Sequence, residues 1–131
     1  MNKPKTIDEQ RAEGLAVMQS FAGTDYTAKR AASTNDFNRE LRALSELAMG
    51  AVWTRPEIDR ATRSLVTVAM LTALGRHHEL AIHMDAALTN GCTPAQLKEI
   101  VLQSVIYCGF PAANEACRTA EEAMRKRGIA F

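Results

Sequence analysis

A chain of 131 residues suits one domain, and a hydrophobic share of 47% is enough for a packed core, which excludes a disordered chain. A net charge of +1 gives no electrostatic reason to expect nucleic acid or an anionic membrane as partner, and the basic run at 125–128 reads as a solvated helix end. Three cysteines, Cys92, Cys108 and Cys117, with no C-x-x-C spacing argue against a disulfide framework, a zinc site and a dithiol motif; with "MNKPKTIDEQ" lacking an apolar signal segment, they point to reduced thiols in the cytoplasm.

Helix signals recur along the chain and strand signals do not. In "TIDE", Thr6 is placed to cap a helix and Glu9 to close the capping box; the helix runs to about Phe21, Gly23 follows it, and Gly14 weakens its interior. Residues 22–34 form a polar connection in which Tyr26 and the alanines allow a short helical turn. Phe37, Leu41, Leu44, Ala48 and Ala51 then recur at spacings of 4, 3, 4 and 3, one face of a helix. In "TRPE", Thr54 is the expected cap of the next helix, with Pro56 in its first turn and Glu57 completing the box. "LVTVAMLTAL" is apolar on nearly every side, as in a helix central to a fold or buried in an oligomer; it is too short to span a bilayer, and Gly75 stops it.

"HHELAIHMDAALTNG", residues 77–91, places Leu80, Met84, Ala87 and Leu88 on an apolar face and stops at Asn90-Gly91. "TPAQ" offers Thr93 as cap, Pro94 at the first position and Gln96 at the third; Leu97, Ile100, Val101, Ser104 and Val105 form the buried face that follows, and Gly109 ends it. Pro111 opens a last helix through Ala112, Ala116, Ala120 and Met124, closed by Gly128. The expectation is an all-α chain of about six helices in one domain over residues 1–131. Aromatic residues are only 5%, and faces built from alanine bury modest area, so a homo-oligomer is expected.

The chemistry-bearing residues gather in two stretches. Arg76, Glu79 and His83 share one line of the 77–89 helix, at the edge of its apolar face. A carboxylate one turn from a histidine raises the histidine's pKa and selects its tautomer, as a proton-transfer catalyst requires; the alternative is an ordinary exposed pair of small energetic weight. His77 and His78 read as solvated first-turn residues, and no H-x-x-x-H or H-E-x-x-H spacing supports a metal. Arg55, Arg60 and Arg63 suit a substrate with several carboxylates, or else neutralise Glu57 and Asp59. Trp53 and Tyr107 fit either a pocket wall or the core.

"GAVWTRPEIDRATRSLVTVAMLTALGRHHELAIHMDAALTNGCTPAQLKEIVLQSVIYCGFPAANEA", residues 50–116, resembles the carboxymuconolactone decarboxylase family; "EGLAVMQSFAG" and "DFNRELRAL" match its N-terminal part. The elements carrying the likeness are "VWTRP", "TRSL", "ELAIH", "NGCTP" and "YCGFPAAN", in that order; Met49 departs from the pattern, where a bulky aromatic is expected, and Cys108 stands where a small residue is usual. The resemblance implies the all-helical fold of the alkyl-hydroperoxidase D proteins and a homohexamer, a trimer of dimers. Those relatives carry C-x-x-C four residues before a histidine; here the matching positions are Arg76, Glu79 and His83, so the dithiol is absent. It further implies cofactor-free and metal-free decarboxylation of 4-carboxymuconolactone to the β-ketoadipate enol-lactone in protocatechuate breakdown. His83 and Glu79 would be catalytic, and Arg63, Arg60, Arg55, Trp53 and Tyr107 would bind substrate. The competing expectations are a peroxide-reducing redox protein of the same fold, a non-catalytic helical oligomer, and a decarboxylase or isomerase of another lactone or β-keto acid.

Overall fold

The structure is a computed structural model and describes residues 3–131. It holds seven helices and no strand among the described residues: α1 (Ile7–Ala22), α2 (Tyr26–Ala32), α3 (Arg39–Trp53), α4 (Arg60–Leu74), α5 (His77–Thr89), α6 (Pro94–Cys108) and α7 (Phe110–Lys126). The helix expected only as a turn, α2, is the addition to the six read from sequence. The chain divides into two compact units, one ending at Glu57 and one from Ile58 to Phe131.

In the first unit α1 packs on α3 through two glycines. A Cβ on Gly14 would stand 1.8 Å from the carbonyl oxygen of Glu46, and one on Gly50 would stand 1.9 Å from that of Gln10. The two backbones touch at this crossing, which only glycine permits. Gly14, a weak point by helix propensity, is therefore a packing residue. Phe21 and Trp53 meet edge to face beside the crossing, with ring centroids 4.7 Å apart. Glu46 accepts hydrogen bonds from Arg11 at 3.0 Å and from Arg30 at 3.1 Å, tying α1 and α2 to α3.

Two expectations for this unit change. The face carrying Phe37, Leu41, Leu44, Ala48 and Ala51 is exposed, Phe37 to 98%, because α3 turns its Gly50 edge toward α1. Thr54 does not start the next helix. Its hydroxyl donates to the Gly50 carbonyl at 2.6 Å and closes α3 instead. The carboxylate of Asp59 caps α4, accepting from the backbone N–H of Thr62 at 2.7 Å. Glu57 consequently plays no capping part.

The second unit is a four-helix bundle in which α4 and α7 each pack on α5 and α6. Cross-links fix the helix directions. The side-chain amide of Asn90 donates to Ser64 Oγ at 2.9 Å, and the Cys92 thiol donates to the Ala61 carbonyl at 3.2 Å, so α4 and α5 are antiparallel. His77 stands 3.7 Å from Glu115, and Arg127 donates to Asp85 at 2.7 Å, so α5 and α7 run parallel. Gly109 turns α6 back along α7. One end of the bundle thus gathers the C-termini of α4 and α6 and the N-termini of α5 and α7. Val68, Leu80, Met84, Ala87 and Leu97 fill the core, against Ala116, Ala120 and Ala123 of α7, whose small side chains let the helices approach. The start signals at Thr6 and Thr93 hold, each a complete capping box, and Gly75 ends α4 in the left-handed region at φ 66°.

Candidate active site

His83 belongs to the α4 side of α5. Asn90 lies two turns further along the same line, and its bond to Ser64 anchors that line against α4. The opposite side of α5, carrying Asp85 and Thr89, holds Arg127 at the end of α7. Glu79, one turn before His83, therefore also borders the seam between α4 and α5. His83 is half-buried, whereas Glu79 is exposed toward the end of the bundle where α5 begins.

Burial sets the proton affinity of His83. Removing the imidazolium from water lowers its pKa below the ordinary histidine value, and the nearby charge of Glu79 raises it by less. The spacing alone predicted a raised pKa, since it registers the carboxylate and not the protein packed around the ring. The folded chain thus holds this imidazole largely neutral near pH 7.

Arg60 and Arg63 begin α4, at the far end of the seam from Glu79; Arg63 is half-buried and Arg60 exposed. With Ser64 level with Asn90, His83 stands level with Leu71, so Arg63 is about 12 Å and Arg60 about 16 Å from it along the helix axis. Thr67 lies between them on α4, half-buried, with its hydroxyl donating to the Arg63 carbonyl at 2.8 Å. The second unit accordingly supplies a seam with guanidinium groups at one end, an imidazole in the middle and a carboxylate at the other end. Tyr107 sits near the C-terminal end of α6 and is 78% exposed. Trp53 and Arg55 belong to the first unit, Trp53 buried and Arg55 exposed at 3.6 Å from Glu57.

Sequence reading missed Ser64, Asn90 and Thr67. Asn90 registered only as a helix stop, yet its distance of seven residues from His83 was the signal that both share a face. His77, read as a solvated first-turn residue, is exposed at the start of α5, with Glu115 of α7 at 3.7 Å.

The thiols lie elsewhere. Cys92 is buried and its pKa is raised by that burial and by Asp59; Cys117 is raised by burial, then by Glu121. Both are thereby held as thiols, the poorly nucleophilic form. A hollow of about 470 Å³ between α6 and α7, lined by Leu97, Val101, Leu102, Ala120, Met124 and Phe131, contains neither His83 nor Glu79. Its wall is apolar apart from Lys98, Glu121 and the Cys117 thiol. Among the described residues no three His, Cys, Asp or Glu side chains converge as metal ligands, and no helix is long and apolar enough to cross a membrane.

A sequence model of the carboxymuconolactone decarboxylase family matches residues 39–122, which span α3 to most of α7 and include every candidate site residue. The chain belongs to this family. Its similarity to the 4-carboxymuconolactone decarboxylase of Acinetobacter baylyi is 44% identity over 125 residues, covering 94% of this chain and 93% of that one. It is also 35% identical over 105 residues to a nitrosuccinic acid decarboxylase of Metarhizium robertsii, covering 79% of this chain and 73% of that protein. The all-helical architecture agrees with membership of the carboxymuconolactone decarboxylase family, and the α4–α5 seam lies wholly within the matched region.

Proposed function

We propose that this chain is a carboxy-lyase that converts 4-carboxymuconolactone to the β-ketoadipate enol-lactone, a step of protocatechuate breakdown in the cytoplasm. The observation that carries the reading is the 44% identity to a 4-carboxymuconolactone decarboxylase over nearly the full length of both chains. The half-buried imidazole beside a carboxylate supports it from the side of chemistry.

Loss of CO2 leaves the bonding electron pair on carbon. In this substrate the unsaturated lactone accepts the pair, spreading it through the ring to the carbonyl oxygen, so the substrate provides its own electron sink. No cofactor or metal enters this scheme. A proton then joins a ring carbon; each turnover consumes one proton and releases one CO2. The protein must hold the carboxylates, stabilise the enolate oxygen and deliver that proton.

Arg63 and Arg60 hold the retained carboxylate at the start of the seam, and Tyr107, with Arg55 and Trp53 of the first unit, are the further residues assigned to substrate binding. His83 supplies the proton. Its low affinity in the empty site is no obstacle, because an anionic substrate beside the ring raises it and the imidazole gains its proton with the substrate. Glu79 orients the ring and favours its charged form. A guanidinium helps only where it stabilises the transition state more than the departing carboxylate, so that carboxylate belongs in the drier middle of the seam, away from the arginines.

The working form in this reading is a homohexamer, a trimer of dimers. Such an assembly needs two different kinds of contact between copies. Two exposed apolar faces support it, one on α3 with Phe37, Leu41 and Leu44, and one on the bundle. A second substrate reading rests on the relative that decarboxylates nitrosuccinic acid, another acid whose electron-withdrawing group can accept the pair.

The test is purified protein with 4-carboxymuconolactone in buffer free of metal and cofactor, following CO2 and the enol-lactone. Turnover should fall by about 10²–10⁴ in His83→Ala. Absence of CO2 release by the unsubstituted protein overturns the substrate; equal rates for His83→Ala overturn the role of the imidazole.

A further inference from the structure

The hollow between α6 and α7 is separate from the His83 seam and has a chemistry of its own. Gly109 turns the two helices antiparallel, so Pro94 at the start of α6 lies level with the end of α7, and Leu102 lies level with Cys117. Leucine and valine on α6 face alanine and Cys117 on α7, and side chains this small on one wall leave the space between the helices unfilled. At about 470 Å³ the hollow is within the size range of small-molecule sites. From Pro94 to Leu102 it runs roughly 12 Å along the helix axis. An apolar trough of that length suits a carbon chain lying along it, whereas a single ring fills only part.

The charges on its walls are not equivalent. Glu121 on α7 is satisfied from within its own helix: one oxygen accepts from Arg125 at 3.1 Å, and the Cys117 thiol donates to the other at 3.7 Å. Arg125 also lies over the Phe131 ring, 5.6 Å from its centre. Lys98 on α6 is exposed, and among the described residues no carboxylate pairs with its ammonium. Side chains on a helix lean toward its N-terminus, which carries Lys98 toward the Pro94 and Phe131 end and away from Cys117. The hollow therefore offers an unused positive charge at one end and hydrocarbon along its length. A neutral chain leaves that charge unanswered, and a cation is repelled by it. A dianion brings a second charge that the apolar wall cannot solvate.

We infer that this hollow binds an alkyl monocarboxylate of medium length, its carboxylate on Lys98 and its chain along Leu97, Val101 and Ala120 toward Cys117. The site is independent of decarboxylation and stands whether or not the α4–α5 seam turns over the proposed substrate.

The experiment titrates hexanoate, octanoate, decanoate and dodecanoate, each below its micellar concentration, into the full chain by calorimetry. Alkylation of Cys117 by iodoacetamide, located by mass spectrometry, reports in parallel on the far end of the hollow, since this thiol is exposed. Affinity should rise about fourfold per buried methylene and level off near decanoate, where the trough is full. Saturating decanoate should slow alkylation of Cys117 by about fivefold or more, and decanol and decylammonium should bind more weakly than decanoate by about the same factor. Lys98→Glu, a substitution at an exposed position, should reverse the order of decanoate and decylammonium. The comparison of head groups on the unsubstituted protein needs no variant, so a Lys98→Glu chain that fails to fold does not end the test. Absence of binding by every acid overturns the inference. Affinity that keeps rising through dodecanoate, or is equal for the three head groups, means adsorption to any apolar surface and overturns it too. So does binding that leaves alkylation of Cys117 unchanged. A Cys117 that reacts only after the native assembly is dissociated means that another copy of the chain already fills the hollow, and the inference falls.

Discussion

His83 binds its proton less tightly in the folded chain than in water, and the sign of that difference has consequences for both stability and rate. The unfolded chain takes up this proton near pH 6.5, while burial keeps the folded chain from doing so until the pH is lower. The contribution to stability is therefore fully present above about pH 6.5 and is lost as the pH falls through the depressed folded value. Turnover responds in the opposite direction. If the ring must be protonated when CO2 leaves, kcat/KM declines as the pH rises through the free-enzyme value, below about 6.5, and kcat declines at a higher pH because bound substrate raises the affinity. Glu79 is the group that opposes burial. Glu79→Gln should move both inflections to lower pH and reduce the rate at pH 7.5, with the substrate-bound inflection still the higher of the two. Superimposable pH profiles for the variant and the wild type would remove Glu79 from the mechanism.

At the scale of helices, Gly14 and Gly50 set the α1–α3 crossing, and the sign of a substitution there runs against helix propensity. In an ordinary helix interior, glycine to alanine stabilises by about 1 kcal/mol. At Gly50 the new methyl would stand 1.9 Å from the Gln10 carbonyl, so the helices must separate. Gly50→Ala should destabilise the chain by about 3 kcal/mol in urea unfolding, and a stabilised variant would refute the crossing. This pair shows where sequence reading stops. The capping boxes at Thr6 and Thr93 were legible because cap and partner lie within one turn. Gly14 read as a flaw because its reason is another helix far along the chain. Thr54 and Asp59 were rival caps five residues apart, and the choice was made by how α3 closes on Thr54. The line through Arg76, Glu79 and His83 was legible as a helical periodicity. Its place against α4 depends on Ser64 meeting Asn90, a contact between distant segments with no local sign.

Over the whole molecule, apolar side chains are distributed unequally between the interior and the surface. In the second unit Val68, Leu80, Met84, Ala87 and Leu97 are buried with the alanines of α7. The first unit buries Gly14, Val17, Phe21, Gly50 and Trp53 and leaves Phe37, Leu41 and Leu44 in solvent, while α2 buries nothing. A unit of under about 60 residues with so few buried side chains gains little from its own core. The exposed face of α3 and the exposed end of the bundle are the remaining reserves, and in the proposed hexamer both act between copies of the chain. In the proposed hexamer, association adds to the stability of each chain, and mass action makes that contribution depend on concentration. For a hexamer each tenfold rise in concentration adds about 1 kcal/mol per chain, which for a protein of this size raises the thermal midpoint by roughly 3–5 °C. Scanning calorimetry across a hundredfold range of protein concentration measures this directly. A midpoint that does not move over that range would mean that the chain reaches its stability alone, and the exposed faces would then have no part in holding the folded state together.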